Sequence, residues 1–80
     1  MSDAEIAATL VGALSDAAAV EAGAAVRLLS VEVMMVAPGR GGVETRVLRK
    51  TKSLLFMEAE LRSPSGERIA IAESVHSLPA

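Results

Sequence analysis

The sequence predicts an α+β domain in which one long helix packs on an antiparallel sheet of about four strands. Three observations predict it. Residues 4–22 hold a helical spacing of apolar side chains with no proline and one glycine. Everything after Gly23 alternates with a period of two in successive runs. Those runs are joined by short stretches rich in Gly, Pro and Ser, which favour antiparallel neighbours. At 80 residues the chain is expected to be a single domain, residues 1–80.

The helix is expected over about 4–22. Ser2 or Asp3 can cap it, with Glu5 in the first turn where an acid is favoured. Ile6, Leu10, Leu14 and Ala17 or Ala18 recur at spacings of three and four and make the apolar stripe. Thr9, Gly12, Asp16 and Ala19 make a second stripe of small and polar residues. The helix spans about 28 Å at its usual rise, and Gly23 reads as its stop.

The first strand is expected over about 26–36. It places Val31, Val33 and Met35 on one face and Ser30, Glu32 and Met34 on the other. Ala37-Pro38-Gly39-Arg40-Gly41-Gly42 follows as a turn. The second strand is expected over 43–50, with Val43, Thr45 and Val47 opposed to Glu44, Arg46 and Leu48. The third, over 53–62, sets Leu55, Met57, Ala59 and Leu61 against Glu58, Glu60 and Arg62. Ser63-Pro64-Ser65-Gly66 turns into the last, over 68–78, where Ile69, Ile71 and Val75 alternate with Ala70, Ala72 and Ser74. Strands of this length reach about 33 Å, close to the helix length. A four-stranded meander with the helix across one face is the economical packing.

Composition narrows the function classes. About half of the residues are apolar, and a small single core cannot hide them all, so at least a homodimer is expected. The net charge of −2 and the lone aromatic, Phe56, argue against a nucleic-acid partner. No apolar run is long enough to span a bilayer, and the acidic start does not read as a signal peptide. A cytoplasmic location without a membrane partner is the expectation. With no cysteine there is no disulfide or thiolate site. His76, the one histidine, has no second ligand at metal spacing, so neither a metal nor a cofactor is expected. It reads as a surface or dimer-contact residue, and Met34, Met35 and Met57 as core or interface filler.

One acid stands out. Asp16 sits in the Ala-rich phrase Leu14-Ser15-Asp16-Ala17-Ala18-Ala19, where a carboxylate is costly to bury unless something uses it. That phrase resembles the Leu-x-Asp-x-Ala helix signature of hotdog-fold acyl-CoA thioesterases, in the branch typified by the phenylacetate-pathway enzyme. Residues 30–38 are similar to the family strand that ends in a proline-containing turn. Residues 46–53 are similar to the next strand and its basic connection, and residues 58–72 to the last hairpin. The resemblance implies a hotdog fold with two sheets paired side by side in a homodimer, or a homotetramer built from such dimers. It implies an acyl-CoA substrate or ligand at the dimer interface.

By that resemblance Asp16 is the catalytic carboxylate, acting as general base or nucleophile. The competing reading is a helix acid facing solvent or a dimer edge. Glu21 is a more distant candidate base. Thr9 and Gly12 share the stripe of Asp16 and are candidate substrate-binding positions, with Gly12 either permitting close backbone approach or packing against the sheet. Arg49, Lys50 and Lys52, with Ser53 beside them, are candidates for holding the phosphates of coenzyme A. A solvated hairpin tip that blocks edge pairing is an equal reading. The Gly-rich turn at 39–42 joins two strands and so is not a phosphate loop.

The family's strand before the helix and its His-Gly-Gly-like turn have no counterpart in these residues. The chain is accordingly expected to be a shortened relative, a fragment or one with a start assigned too late. That turn helps to set the thioester carbonyl near amides at the helix N-terminus. The alternative function is therefore a non-catalytic hotdog module that binds an acyl ligand or serves in assembly.

Overall fold

Hydrogen bonding at the first residues fixes where the helix begins. Ser2 stands in extended backbone, its hydroxyl accepts from the Glu5 amide at 3.1 Å, and its own amide donates to the Glu5 carboxylate at 3.0 Å. This reciprocal capping box satisfies two donors that a helix start leaves open. The Ser2 amide holds the Glu5 carboxyl below its usual pKa. Ser2→Ala is expected to lower stability by about 1 kcal/mol, read as a fall in the urea midpoint.

The computed structural model describes residues 1–79. Helix α1 runs Asp3–Ala22 and ends on Gly23, whose left-handed backbone (φ 70°) lets its amide reach the carbonyls of Ala19 and Val20. Four strands follow: β1 Arg27–Met35, β2 Gly42–Lys50, β3 Leu54–Arg62 and β4 Arg68–Ser77. All adjacent pairs are antiparallel, and the strand order is β1-β4-β3-β2. The helix lies across one face of this sheet.

That order corrects the expected meander. β2, β3 and β4 follow one another, but β1 lies beyond β4 at the far edge, so β1 and β2 are opposite edges. The two edges are separated by three strand spacings, about 14 Å. Residues 36–41 can span about 20 Å when extended. They cross the end of the sheet rather than making a hairpin. On the way, the amides of Val36 and Ala37 donate to the Ile69 carbonyl at 2.8 and 3.1 Å. A side chain at Gly39 would sit 3.1 Å from Ile69 Cδ1, and at Gly41 one would overlap the Arg62 carbonyl. The two glycines are there because the crossing runs tight over β4 and β3.

The helix buries Ile6, Leu10, Leu14 and Ala18. Beneath it lie Leu55, Met57, Ala59 and Leu61 of β3 and Ala70 and Ala72 of β4. Ala59 and Ala72 are direct cross-strand partners, so the two central strands present only methyl groups to the helix axis there. Small side chains on both surfaces let helix and sheet approach closely. The bulkier apolar residues of β4, Ile71 and Val75, point to the opposite face, which no element among the described residues covers.

Two β-bulges interrupt the edges, at Leu29 in β1 and Leu48 in β2. Both leucines are about half exposed. No helix is long and apolar enough to cross a membrane among the described residues.

Candidate functional site

Asp16 lies two residues past the buried Leu14 and two before the buried Ala18. At about 100° per residue this turns it to the side of the helix away from the sheet, and it is exposed. Among the described residues no ion pair reaches it. Thr9 and Gly12 are exposed on the same stripe. Thr9 Oγ1 donates to the Glu5 carbonyl at 2.8 Å. Gly12 meets nothing within 4 Å of where a side chain would begin, so it neither packs on the sheet nor permits a close approach within the protomer. The structure thus brings Asp16, Thr9 and Gly12 together on one open helix face. No principal surface hollow of the protomer includes them.

The basic group at the β2–β3 connection does not form one cluster. Arg49 is paired with Phe56 across the strands and stacks on its ring at 5.9 Å, on the sheet face away from the helix. Lys50 points to the helix face. Its Nζ donates to the Glu21 carbonyl at 3.4 Å and lies 3.9 Å from the Glu21 carboxylate. A cation at a helix C-terminus offsets the unpaired carbonyls there. Glu21 is thereby engaged with Lys50 rather than free beside Asp16. Lys52 and Ser53 are exposed in the turn, where the Ser53 carbonyl accepts from the Leu78 amide at 2.9 Å.

His76 is corrected from a surface residue to a core one: it is 1% exposed. On β4 it shares a face with Ser74, and its Nε2 lies 2.8 Å from Ser74 Oγ. Residues two apart on a strand point the same way, so these neighbours can meet. His76 Nδ1 is buried without a partner among the described residues. Across the sheet it faces Leu28 on β1 and Leu55 on β3. Burial among apolar side chains holds its pKa below the ordinary histidine value.

The sign of the linkage is set by that depression. The unfolded chain takes up a proton near pH 6.5, while the folded chain does so only at lower pH. Stability is therefore expected to be full above about pH 6.5 and to fall as pH drops through the folded pKa. His76→Gln should flatten the decline in urea midpoint between pH 7.5 and 5.5.

The two sheet edges differ in chemistry. β1 and its exit expose Leu29, Val31, Met34, Met35 and Val36. β2 exposes Glu44, Arg46, Arg49 and Lys50 along its length, with Val47 and Leu48 exposed among them. A charged edge resists pairing with another chain, and an apolar one invites it.

The arrangement of one helix on a four-stranded antiparallel sheet in this order is the hotdog fold. A Bacillus halodurans protein crystallised with CoA matches all of this chain, with a TM-score of 0.85, 15% identity and 56% of its own length covered. A thioesterase-superfamily protein matches over 99% of the chain, with a TM-score of 0.83, 17% identity and 62% of its length covered. A Ralstonia eutropha phenylacetic acid degradation-related protein matches over 85% at a TM-score of 0.64, with 23% identity and 58% of its length covered. The chain thus spans roughly three fifths of the length of these structures, and it has their fold. No family model and no curated protein sequence matches it.

Proposed function

We propose that this chain is an acyl-CoA thioesterase-type hotdog unit whose site is completed by a second copy. The observation that carries the reading is Asp16. It stands exposed and unpaired, on an open helix face, in a fold matched along its whole length by a protein crystallised with CoA. Pairing of the apolar β1 edge with the β1 of a second copy would extend the sheet and bury the hydrophobic side chains that edge exposes. None of the principal surface hollows among the described residues includes Asp16, so the walls for a thioester would come from the partner.

In such a site the Asp16 carboxylate takes a proton from water as the water oxygen attacks the thioester carbonyl carbon. The carbon–sulfur bond then breaks, the acyl group is released as the carboxylic acid, and the proton held by Asp16 passes to the sulfur, which leaves as the CoA thiol. The phosphates of CoA would be drawn to Lys52 and Arg49, exposed cations at the β2–β3 end that, unlike Lys50, are not engaged with Glu21.

A second reading is a hotdog module that binds an acyl ligand without turning it over. What favours it is the capping box: the Ser2 hydroxyl and Glu5 carboxylate occupy amides at the helix start that would otherwise serve a developing oxyanion. A panel of acyl-CoAs separates the two. Thiol release with at least one acyl chain supports hydrolysis. Thermal stabilisation by an acyl-CoA with no thiol released supports the binding module. Neither response to any acyl-CoA counts against both.

A further inference from the structure

The helix-facing side of the sheet changes character along its length. Met35 and Ala70 are cross-strand partners, and Met35 shares a surface hollow with Asp3, so that end of the sheet lies under the start of α1. Lys50, Leu55, His76 and Leu28 form one row across the other end. Lys50 Nζ meets the Glu21 carbonyl, so this row lies under the last turns of α1. The first part of the helix sends Ile6, Leu10 and Leu14 down to the sheet; past Leu14 its inward residues are Ala17 and Ala18. Methyl groups leave a gap that the sheet must fill if the interior is to be close-packed. His76 is the bulky inward side chain of β4 at that level, and Ser74 Oγ holds its ring through Nε2. The imidazole is thus a wedge beneath the Ala-rich end of the helix.

This wedge can take up a proton only at a cost. The imidazolium has two N–H donors; Nε2 keeps Ser74, while Nδ1 gains a hydrogen for which no acceptor is in place among the described residues. No carboxylate faces it either. From β1 it meets Leu28, from β3 Leu55, and from the helix level above it Ala17 and Ala18. The charge that β2 contributes to the row is Lys50, of like sign and two strand spacings, about 10 Å, away. Of the helix acids, Asp16 is turned from the sheet and Glu21 is engaged by Lys50. A buried ion without a partner is strongly disfavoured, so the ring takes its proton when it reaches water.

The route to water is set by the least costly opening that exposes the ring. Each strand beside His76 is held by a hydrogen-bonded ladder. The start of α1 is held by the Ser2–Glu5 capping box and by three large apolar side chains. The end of α1 is held by two alanines and an exposed lysine contact. We propose that His76 is an acid-sensitive wedge, whose protonation is coupled to unwinding of the second half of α1, about residues 15–22, with the sheet left standing. The closed form is favoured above about pH 6.5, the ordinary histidine value, and loses ground as pH falls below it. For a ring that is protonated only when open, the open population rises about tenfold between pH 7.5 and 5.5. The segment carries Asp16, so, on the reading of Asp16 as the base, the wedge also governs where the base stands.

Amide hydrogen exchange of the full chain at pH 7.5 and 5.5, with small additions of urea, tests this. Rates are taken as protection factors, so that the pH dependence of the exchange chemistry itself cancels. Amides of residues 18–22 are expected to lose about tenfold in protection at the lower pH, nearly independently of urea, as a local opening does. Amides of β3 and β4 should stay better protected and respond steeply to urea, as global unfolding does. His76→Gln retains a polar partner for Ser74 and does not titrate, so the tenfold change at the helix should vanish. Helix amides that ignore pH, or that follow β3 and β4 in their urea response, would overturn the proposal, and so would a tenfold change that persists in His76→Gln. Should that variant not fold, the wild-type pH and urea responses decide alone. None of these readings needs turnover: a chain that opens in this way yet neither cleaves nor binds any acyl-CoA sinks the functional reading and leaves the wedge in place.

Discussion

Gly41→Ala is expected to be among the most damaging single substitutions in this protein, costing more than about 3 kcal/mol of stability. A methyl group at this position would overlap the backbone carbonyl of Arg62 and lie 2.9 Å from the Cα of Ser63. Both obstacles are backbone, so no side chain can swing aside. Relief requires moving either the end of β3 or the crossing segment itself. The segment is held on its other side by the Val36 and Ala37 amides on the Ile69 carbonyl. Chemical denaturation should show a large loss of midpoint for Gly41→Ala. Gly12→Ala is the matched control. It adds a methyl to open space on a helix and should be neutral or stabilising by up to about 1 kcal/mol. Equal effects of the two substitutions would mean that the crossing is not tight.

The crossing also shows where sequence reasoning stopped. The helix and the four strands, as segments along the chain, were legible because period-four and period-two patterns are local, and burial of one face imposes them. The phrase Pro38-Gly39-Arg40-Gly41-Gly42 carries every mark of a tight turn, and composition cannot tell a hairpin from a crossing of similar length. What decides is which strands pair, a property of distant residues. Bulk misleads in the same way on β4. Ile71 and Val75 would be natural choices for a core face, yet the helix lies on Ala70, Ala72, Ser74 and His76. An Ala-rich helix needs a near-flat bed, so the smaller residues of the strand win the inner face.

The candidate site was legible in part. The shared stripe of Thr9, Gly12 and Asp16 follows from helical geometry and reappears as one open face. The basic group at Arg49 and Lys50 was not legible as two separate features. Adjacent residues on a strand point to opposite faces, and the bulge at Leu48 decides which goes where. Lys50 ends at the helix C-terminus and Arg49 on Phe56. The Ser74–His76 pair was missed, although the signal was present: two polar residues two apart on a strand share a face, and here that face is the buried one.

Asp16→Asn is the other substitution with a large expected effect, and it acts on chemistry alone. The side chain is exposed, so stability should stay within about 0.5 kcal/mol of wild type. The amide keeps the shape of the carboxylate and removes its ability to accept a proton. Loss of a general base typically costs about 10²- to 10⁴-fold in rate. The direct measurement is CoA thiol release by wild type and Asp16→Asn, at equal concentration and with the oligomeric state of both confirmed. A fall of at least about 10²-fold, with unchanged melting temperature and unchanged mass, is the predicted result. Release by Asp16→Asn at the wild-type rate would contradict the assignment of this carboxylate as the base.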